Sequence, residues 1–489
     1  MPHRSDRLPP EDAIFLYLES RRMPLHIGSV SILDGEVPFD TYVDFIESKL
    51  PLIRRYRQRL VFPPFNVGHP SWEDDPNFDI RNHIRHVRLK RGTHAELQAF
   101  SGQIFSKAMD RNKPLWDLTL VDGLGPGQSA FISRVHHCLV DGISGVGIIN
   151  VMLSASRDYD PPTHKQAMFH PGALPDRATS LLEAIVNSYT EITGRVLSAE
   201  ATALDLAQAL TNEQTWLGWN RLASLSPEVL TPIDRLPFNK PVRGPRRVVW
   251  TEVPISHVSA IRKSCGGTLN DVVLAAVTAA VRTYIENRGY AVKNRLLRFM
   301  VPVNKRPSGD ENGFGNRVSA LPVNVPLDIR DPTKLLNAIT ERTTALKNAH
   351  FADLVQLAAL WTGAMPPIWQ PLLGPAAALF PDTPFNMVCT NVPGPQSPLY
   401  LLGREMLTFY PYVPIGGTMG LGCAVQSYNG KLYFGFTADS AAVPDAGRLG
   451  EYVEEAFAGL LRAAGAAPVE REALPPPAEA EVPETASVR

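Results

Sequence analysis

The chain has 489 residues, 44% hydrophobic and 20% charged, with a formal net charge of −1, so it is globular and too long for one ordinary hydrophobic core. Its charge balance excludes the basic face that nucleic-acid binding needs. Its four cysteines, Cys138, Cys265, Cys389 and Cys423, lie far apart, which excludes a CxxC-type zinc cluster or redox pair.

The first seven residues lead into no apolar run, so the expectation is no signal peptide, reduced thiols and a cytoplasmic protein. Residues 12–20 read as a short helix and 27–33 as a strand. Residues 40–60 read as a helix with a solvated basic end at Arg54, Arg55, Arg57 and Arg59. Residues 84–89 alternate as a strand, and 94–109 are helical. Pro114-Leu115-Trp116 then opens a strand over 117–122, and the turn 123–127 leads into a strand over 129–135. A helix over 143–154 comes next. A linker over 155–178 carries Pro161, Pro162, Pro171 and Pro175. In residues 180–224, Leu181, Leu182, Ile185, Val186, Tyr189, Ile192 and Val196 recur near a 3.6-residue period, a helical signal. Residues 227–245 form a second proline-rich crossing.

The second half predicts a strand over 247–253 and a helix over 256–265. Thr268-Leu269-Asn270-Asp271 then caps a helix over 272–287. Strands over 297–303 and 318–325 and a helix over 331–349 follow. Residues 354–381 contain no charge, yet Pro366, Pro367, Pro371 and Pro375 interrupt them too often for a spanning helix. An interfacial segment, a tunnel lining and a buried helical hairpin all stay open there. A strand over 387–391 ends in Val392-Pro393-Gly394-Pro395. Strands over 420–428 and 431–439 make a hairpin through Asn429-Gly430, and 446–464 is the last helix. The organisation expected is an α/β unit over 1–178, a helical and proline-rich connection over 179–245, a second α/β unit over 246–466 and a disordered tail over 467–489.

The chemistry concentrates in His136-His137-Cys138-Leu139-Val140-Asp141-Gly142, between a strand and a helix. An imidazole accepts a proton near neutral pH without a large pKa shift, and a strand end is a rigid support for one. His137 is the candidate base. His136 is expected to orient or pack, although it too can face the site. Asp141 is expected to fix the turn by pairing with an arginine, and Gly142 allows its backbone angles. Cys138 raises a covalent acyl-enzyme as an alternative; neighbouring strand residues point to opposite faces, which disfavours it. No G-x-S-x-G elbow is present.

Several further motifs stand in one order along residues 8–460. They are Pro9-Pro10-Glu11-Asp12-Ala13-Ile14-Phe15, Met23-Pro24-Leu25-His26-Ile27-Gly28, Trp72 with Asp74-Asp75, then Phe78-Asp79 and His83. Pro114-Leu115-Trp116, Asn270-Asp271, Asn391-Val392-Pro393-Gly394-Pro395 and Ser427-Tyr428-Asn429-Gly430 complete them. With the histidine motif, the chain resembles the bacterial wax ester synthase/acyl-CoA:diacylglycerol acyltransferase (WS/DGAT) family. Met109-Asp110-Arg111 and Val303-Asn304-Lys305-Arg306 depart from the family pattern.

The resemblance implies a chloramphenicol-acetyltransferase-like fold, that of CoA-dependent acyltransferases. Two related α/β domains with mixed sheets would enclose an active-site channel. It implies long-chain acyl-CoA as the donor substrate and diacylglycerol or a fatty alcohol as acceptor, with no metal and no bound organic cofactor. Asn270 would bind substrate or the oxyanion; a helix cap is its other reading. Arg243, Arg246 and Arg247, or Arg85, Arg88, Lys90 and Arg91, are the clusters available for CoA phosphates, unless they are plain solvated surface. Peripheral contact with the inner membrane face or with lipid droplets is a further expectation. A polyketide or glycolipid acceptor, or a non-catalytic acyl-CoA or lipid-binding role, remains the alternative.

Overall fold

The computed structural model describes residues 7–125, 127–139, 151–158, 233–304, 318–351 and 383–466, with single positions between 181 and 220. In the first half these are α1 (Pro10–Leu18), β1 (His26–Leu33), α2 (Phe39–Lys49), β2 (Gln58–Val61), β3 (Ser71–Asp74), β4 (Ile84–Arg88), α3 (His94–Phe105), β5 (Trp116–Leu124) and β6 (Gln128–His136). The second half supplies β7 (Arg246–Pro254), α4 (Ile255–Cys265), α5 (Leu269–Asn287), β8 (Leu296–Asn304), β9 (Val318–Pro326), α6 (Pro332–Asn348), β10 (Met387–Val392), β11 (Tyr400–Leu401), β12 (Arg404–Glu405), β13 (Tyr410–Tyr412), β14 (Leu421–Tyr428), β15 (Lys431–Asp439) and α7 (Leu449–Ala463).

Two mixed sheets result. The first runs β13-β1-β6-β5-β4 and the second β7-β15-β14-β10-β8-β9. Antiparallel pairing dominates the first, with β4 parallel to β5. In the second, β10 lies parallel to both β8 and β14. β2 and β3 form a separate two-stranded ribbon. Each large sheet has its own apolar core. The second is centred on α5, whose buried side chains run almost all round the helix. Among the described residues no single helix is long and apolar enough to cross a membrane.

The structure changes three expectations. The helix expected over 40–60 stops at Lys49, and the chain continues as short 3-10 turns, Leu50–Leu52 and Arg54–Arg57, into β2. Pro51 is the reason, because it lacks the N–H that a continuing helix would use and its ring crowds the preceding turn. The basic patch is therefore no helix end: Arg55 lies over the Trp72 ring at 5.0 Å, and Arg54 reaches Asp74 at 3.8 Å. The helix over 94–109 ends at Phe105, where Arg134 Nη1 takes the carbonyls of Ile104 and Lys107 at 2.6 and 2.7 Å. Third, the unit drawn over 246–466 lends a segment to the first half. β13 pairs with β1, and Leu399, Leu401, Met406, Phe409, Tyr410 and Tyr412 pack in the first core. The expected segments 143–150, 354–381 and 467–489, and most of 159–232, lie outside the described residues.

Candidate active site

β6 carries the histidines to its end. In the antiparallel ladder with β1, His136 stands opposite His26. Backbone bonds then fasten the turn: His136 N–H donates to Leu115 O, His137 N–H to Leu25 O and Leu139 N–H to His136 O, each at 2.9 Å. The turn is thus tied to the entrances of β1 and β5 as well as to its own strand. Asp141 and Gly142 lie outside the described residues.

α1 covers this turn and treats the two rings differently. Phe15 stacks on the half-buried His137 ring, with centroids 3.9 Å apart and planes 8° from parallel. One turn on, at the helix end, Glu19 Oε1 lies 3.3 Å from Nε2 of His136, which is fully buried. The Cys138 N–H donates to His136 Nδ1 at 3.1 Å. Nδ1 thus faces a backbone donor and Nε2 faces the carboxylate.

Glu19 is the residue of this cluster that sequence reasoning missed. Arg111 donates to Glu19 Oε2 through Nε at 3.2 Å and Nη2 at 2.8 Å, and to Leu16 O at 2.7 Å. Leu25 N–H donates to Oε1 at 3.0 Å. A carboxylate at a helix C-terminus opposes the helix dipole; here the guanidinium satisfies both the carboxylate and the last-turn carbonyl. Burial alone would raise the Glu19 pKa. The His136 ring, the Leu25 N–H and Arg111 outweigh it and hold the carboxyl at about 2. A glutamate at the end of a short helix gives no local signal of this; Arg111 in Met109-Asp110-Arg111 was its visible partner.

Cys138 is buried, and burial, then the charges of Asp12 and Glu19, push its thiol well above the ordinary value. That leaves little thiolate and argues against the covalent alternative. His26, also fully buried, is pushed well below the usual imidazole range by burial and by the charges of Arg134, His136 and Arg246.

Asn270 stands elsewhere, half-buried in the first turn of α5. The cap is not Asn270 but Thr268, whose Oγ1 accepts from Asp271 N–H at 3.2 Å while Asp271 Oδ2 accepts from Thr268 N–H at 2.8 Å. The cap reading of Asn270 is therefore corrected: the three-residue spacing of a capping box selects Thr268 with Asp271. Among the described residues Asn270 makes no hydrogen bond to either histidine.

Other motif residues prove to be supports. Trp116 Nε1 donates to Tyr56 O at 2.8 Å, and its ring stacks between Tyr56 and His83, which in turn stacks on Phe78. Gly394 lies so close to β14 that a Cβ there would meet Ser427 O at 2.2 Å. Arg246 is not available for CoA: it is buried and donates to Arg22 O at 2.6 Å and Ile415 O at 3.3 Å. Arg247 donates to Pro444 O at 2.6 Å.

Residues 8–273 match the wax ester synthase/diacylglycerol acyltransferase catalytic domain, and residues 314–460 match the WS/DGAT C-terminal domain. A probable diacylglycerol O-acyltransferase of Mycobacterium tuberculosis H37Rv, tgs1, is 30% identical over 461 residues, covering 92% of this chain and 94% of its own. The wax ester synthase/diacylglycerol acyltransferase from Marinobacter aquaeolei VT8 superposes with a TM-score of 0.63 at 26% identity, covering 94% of this chain and 100% of that one. The first condensation domain of the calcium-dependent antibiotic synthetase, at 15% identity and a TM-score of 0.58 over 95% of this chain and 97% of that one, shares the fold. The two mixed α/β halves are the chloramphenicol-acetyltransferase-like fold expected. The chain belongs to the wax ester synthase/diacylglycerol acyltransferase family.

Proposed function

We propose that this protein moves a long-chain fatty acyl group from acyl-CoA to the hydroxyl of diacylglycerol or of a long-chain alcohol, with His137 as the general base. One observation carries the assignment of roles. His136 is buried and held by Glu19, whereas His137 is half-buried and held in orientation by the face of Phe15. Among the described residues only the second ring combines a fixed plane with partial exposure.

In this reading His137 accepts the acceptor's hydroxyl proton as its oxygen attacks the thioester carbonyl. The tetrahedral intermediate collapses with cleavage of the C–S bond, and the imidazolium returns the proton to the departing CoA thiolate. The oxyanion needs a donor, and Asn270 is the candidate from the second half. His136 and Glu19 hold the turn. Neither a metal nor a bound organic cofactor enters the scheme. Diacylglycerol stands first among acceptors because the mycobacterial relatives are named for it. Such an acceptor is membrane-held, so the protein is placed in the cytoplasm, at the inner membrane face or on lipid droplets.

The test is free CoA release from palmitoyl-CoA with dioleoylglycerol or hexadecanol, comparing wild type with His137→Ala. Acceptor-dependent release that falls by at least about a hundredfold in the variant is expected for loss of a general base. Release that persists in a folded His137→Ala protein would remove His137 from the mechanism. Release with neither acceptor would move the activity to another hydroxyl or leave a binding role.

A further inference from the structure

A cavity of about 170 Å3 lies between α5, α6 and α7, and the chemistry above does not use it. Its apolar wall comes from Ala275 and Ala279 on α5, Ala456 and Leu460 on α7 and Leu335 on α6. Protein interiors close nearly every void larger than a water molecule, so a space of this size is not ordinary packing.

Arg282, on α5, supplies the polar anchor. It is half-buried, and its Nη1 donates to the Ile329 carbonyl. Its Nε–Nη2 edge makes no hydrogen bond among the described residues. That edge is the planar fork that holds a carboxylate through two parallel bonds. The nearest carboxylate is committed elsewhere: Glu286 accepts from Arg330, Nη2 at 2.5 Å and Nη1 at 3.5 Å. Glu455, exposed on the rim, forms no ion pair among the described residues. Burial lowers the Arg282 pKa; Glu286 opposes the shift and the Arg330 charge adds to it. The guanidinium is therefore under-compensated where it stands. On the facing helix Tyr452, 4% exposed, also lines the space. Its hydroxyl accepts from Asn287 Nδ2 at 2.8 Å and keeps its own proton to donate.

We propose that this cavity binds a small aliphatic carboxylate, with the carboxylate on the Nε–Nη2 edge of Arg282 and the tail against the alanine and leucine wall. Size sets the class. A cavity of about 150 Å3 holds one benzene, so this space admits roughly six non-hydrogen atoms, the size of butyrate. The wall selects an aliphatic anion over inorganic phosphate, which would leave oxygens facing alanine and leucine without partners. A long acyl chain exceeds the space, so the site is separate from one that serves a long-chain donor, and it does not rest on the acyltransferase reading.

The test is calorimetric titration of the full chain with sodium butyrate at constant ionic strength. One site with a Kd on the order of 1 mM is expected, an affinity within reach of six atoms. Arg282→Met keeps an unbranched stem and removes the fork; the folded variant is expected to bind at least about tenfold more weakly. Ala279→Leu fills the space with Arg282 in place. It is expected to abolish binding while the melting temperature stays level or rises, as for cavity filling. His137→Ala should bind as wild type. No binding by the wild type would overturn the site, and so would equal binding by Arg282→Met. Binding lost in His137→Ala would move butyrate to the catalytic turn and overturn it as well. Binding kept by Ala279→Leu would put the anion on the surface instead of in the cavity. Inorganic phosphate that binds more tightly than butyrate would refute the aliphatic assignment.

Discussion

At position 19 one carboxylate joins four partners: the end of α1, the Leu25 backbone, Arg111 and His136. Its depressed pKa has a direct consequence for stability. A carboxyl at about 2 when folded, against an ordinary 4.5, contributes stability that is complete above 4.5. That contribution is lost as pH falls from 4.5 toward 2. Glu19→Gln keeps the shape and removes the charge. Stability at neutral pH is expected to drop by about 1–3 kcal/mol, as for a buried hydrogen-bonded group left poorly matched, and acid scans should lose that pH window. If Glu19 positions the histidine turn, kcat should fall about tenfold with KM for acyl-CoA unchanged, the signature of an interaction made in the transition state. A lowered melting temperature with unchanged kcat would assign Glu19 to stability alone.

Elements were legible where their signals are local. The capping box Thr268-x-x-Asp271, the Asn429-Gly430 hairpin and the buried run of α5 all follow from neighbours within a few residues. β11, β12 and β13, of two or three residues each, carry too little pattern to be read, and Glu19 depends on a partner brought by another strand. The roles within Asn270-Asp271 separate for the same reason: Asp271 serves the cap and accepts from Thr343 Oγ1 at 2.8 Å, leaving Asn270 outside that network. Thr268→Ala should therefore cost about 1 kcal/mol of stability, read by thermal melting. Asn270→Ala should leave the melting temperature level and lower kcat/KM if its side chain serves the oxyanion or substrate. Unchanged kcat/KM would dismiss that role.

At the scale of the whole molecule the two sheets are not separate bodies joined by a linker. β13 leaves the second half to pair with β1, and α3 of the first half packs directly on β7. Glycines mark the closest approaches. A Cβ on Gly435, in β15, would meet Pro411 O of β13 at 1.8 Å, and one on Gly102, in α3, would meet Arg246 O at 2.4 Å. Both obstacles are backbone carbonyls, so rotamer changes cannot relieve them. Arg246 adds hydrogen bonds to Arg22 and Ile415 across the same seam. The seam places the histidine turn, on β6, and the candidate Asn270, on α5, within one interlocked framework. Gly102→Val should therefore act on the molecule as a unit. Overpacking of this kind costs about 1–3 kcal/mol or more, and calorimetry is expected to record one cooperative transition at a lower temperature. Two resolved transitions, with only one displaced, would mean that the halves unfold independently and that the shared strand does not couple them.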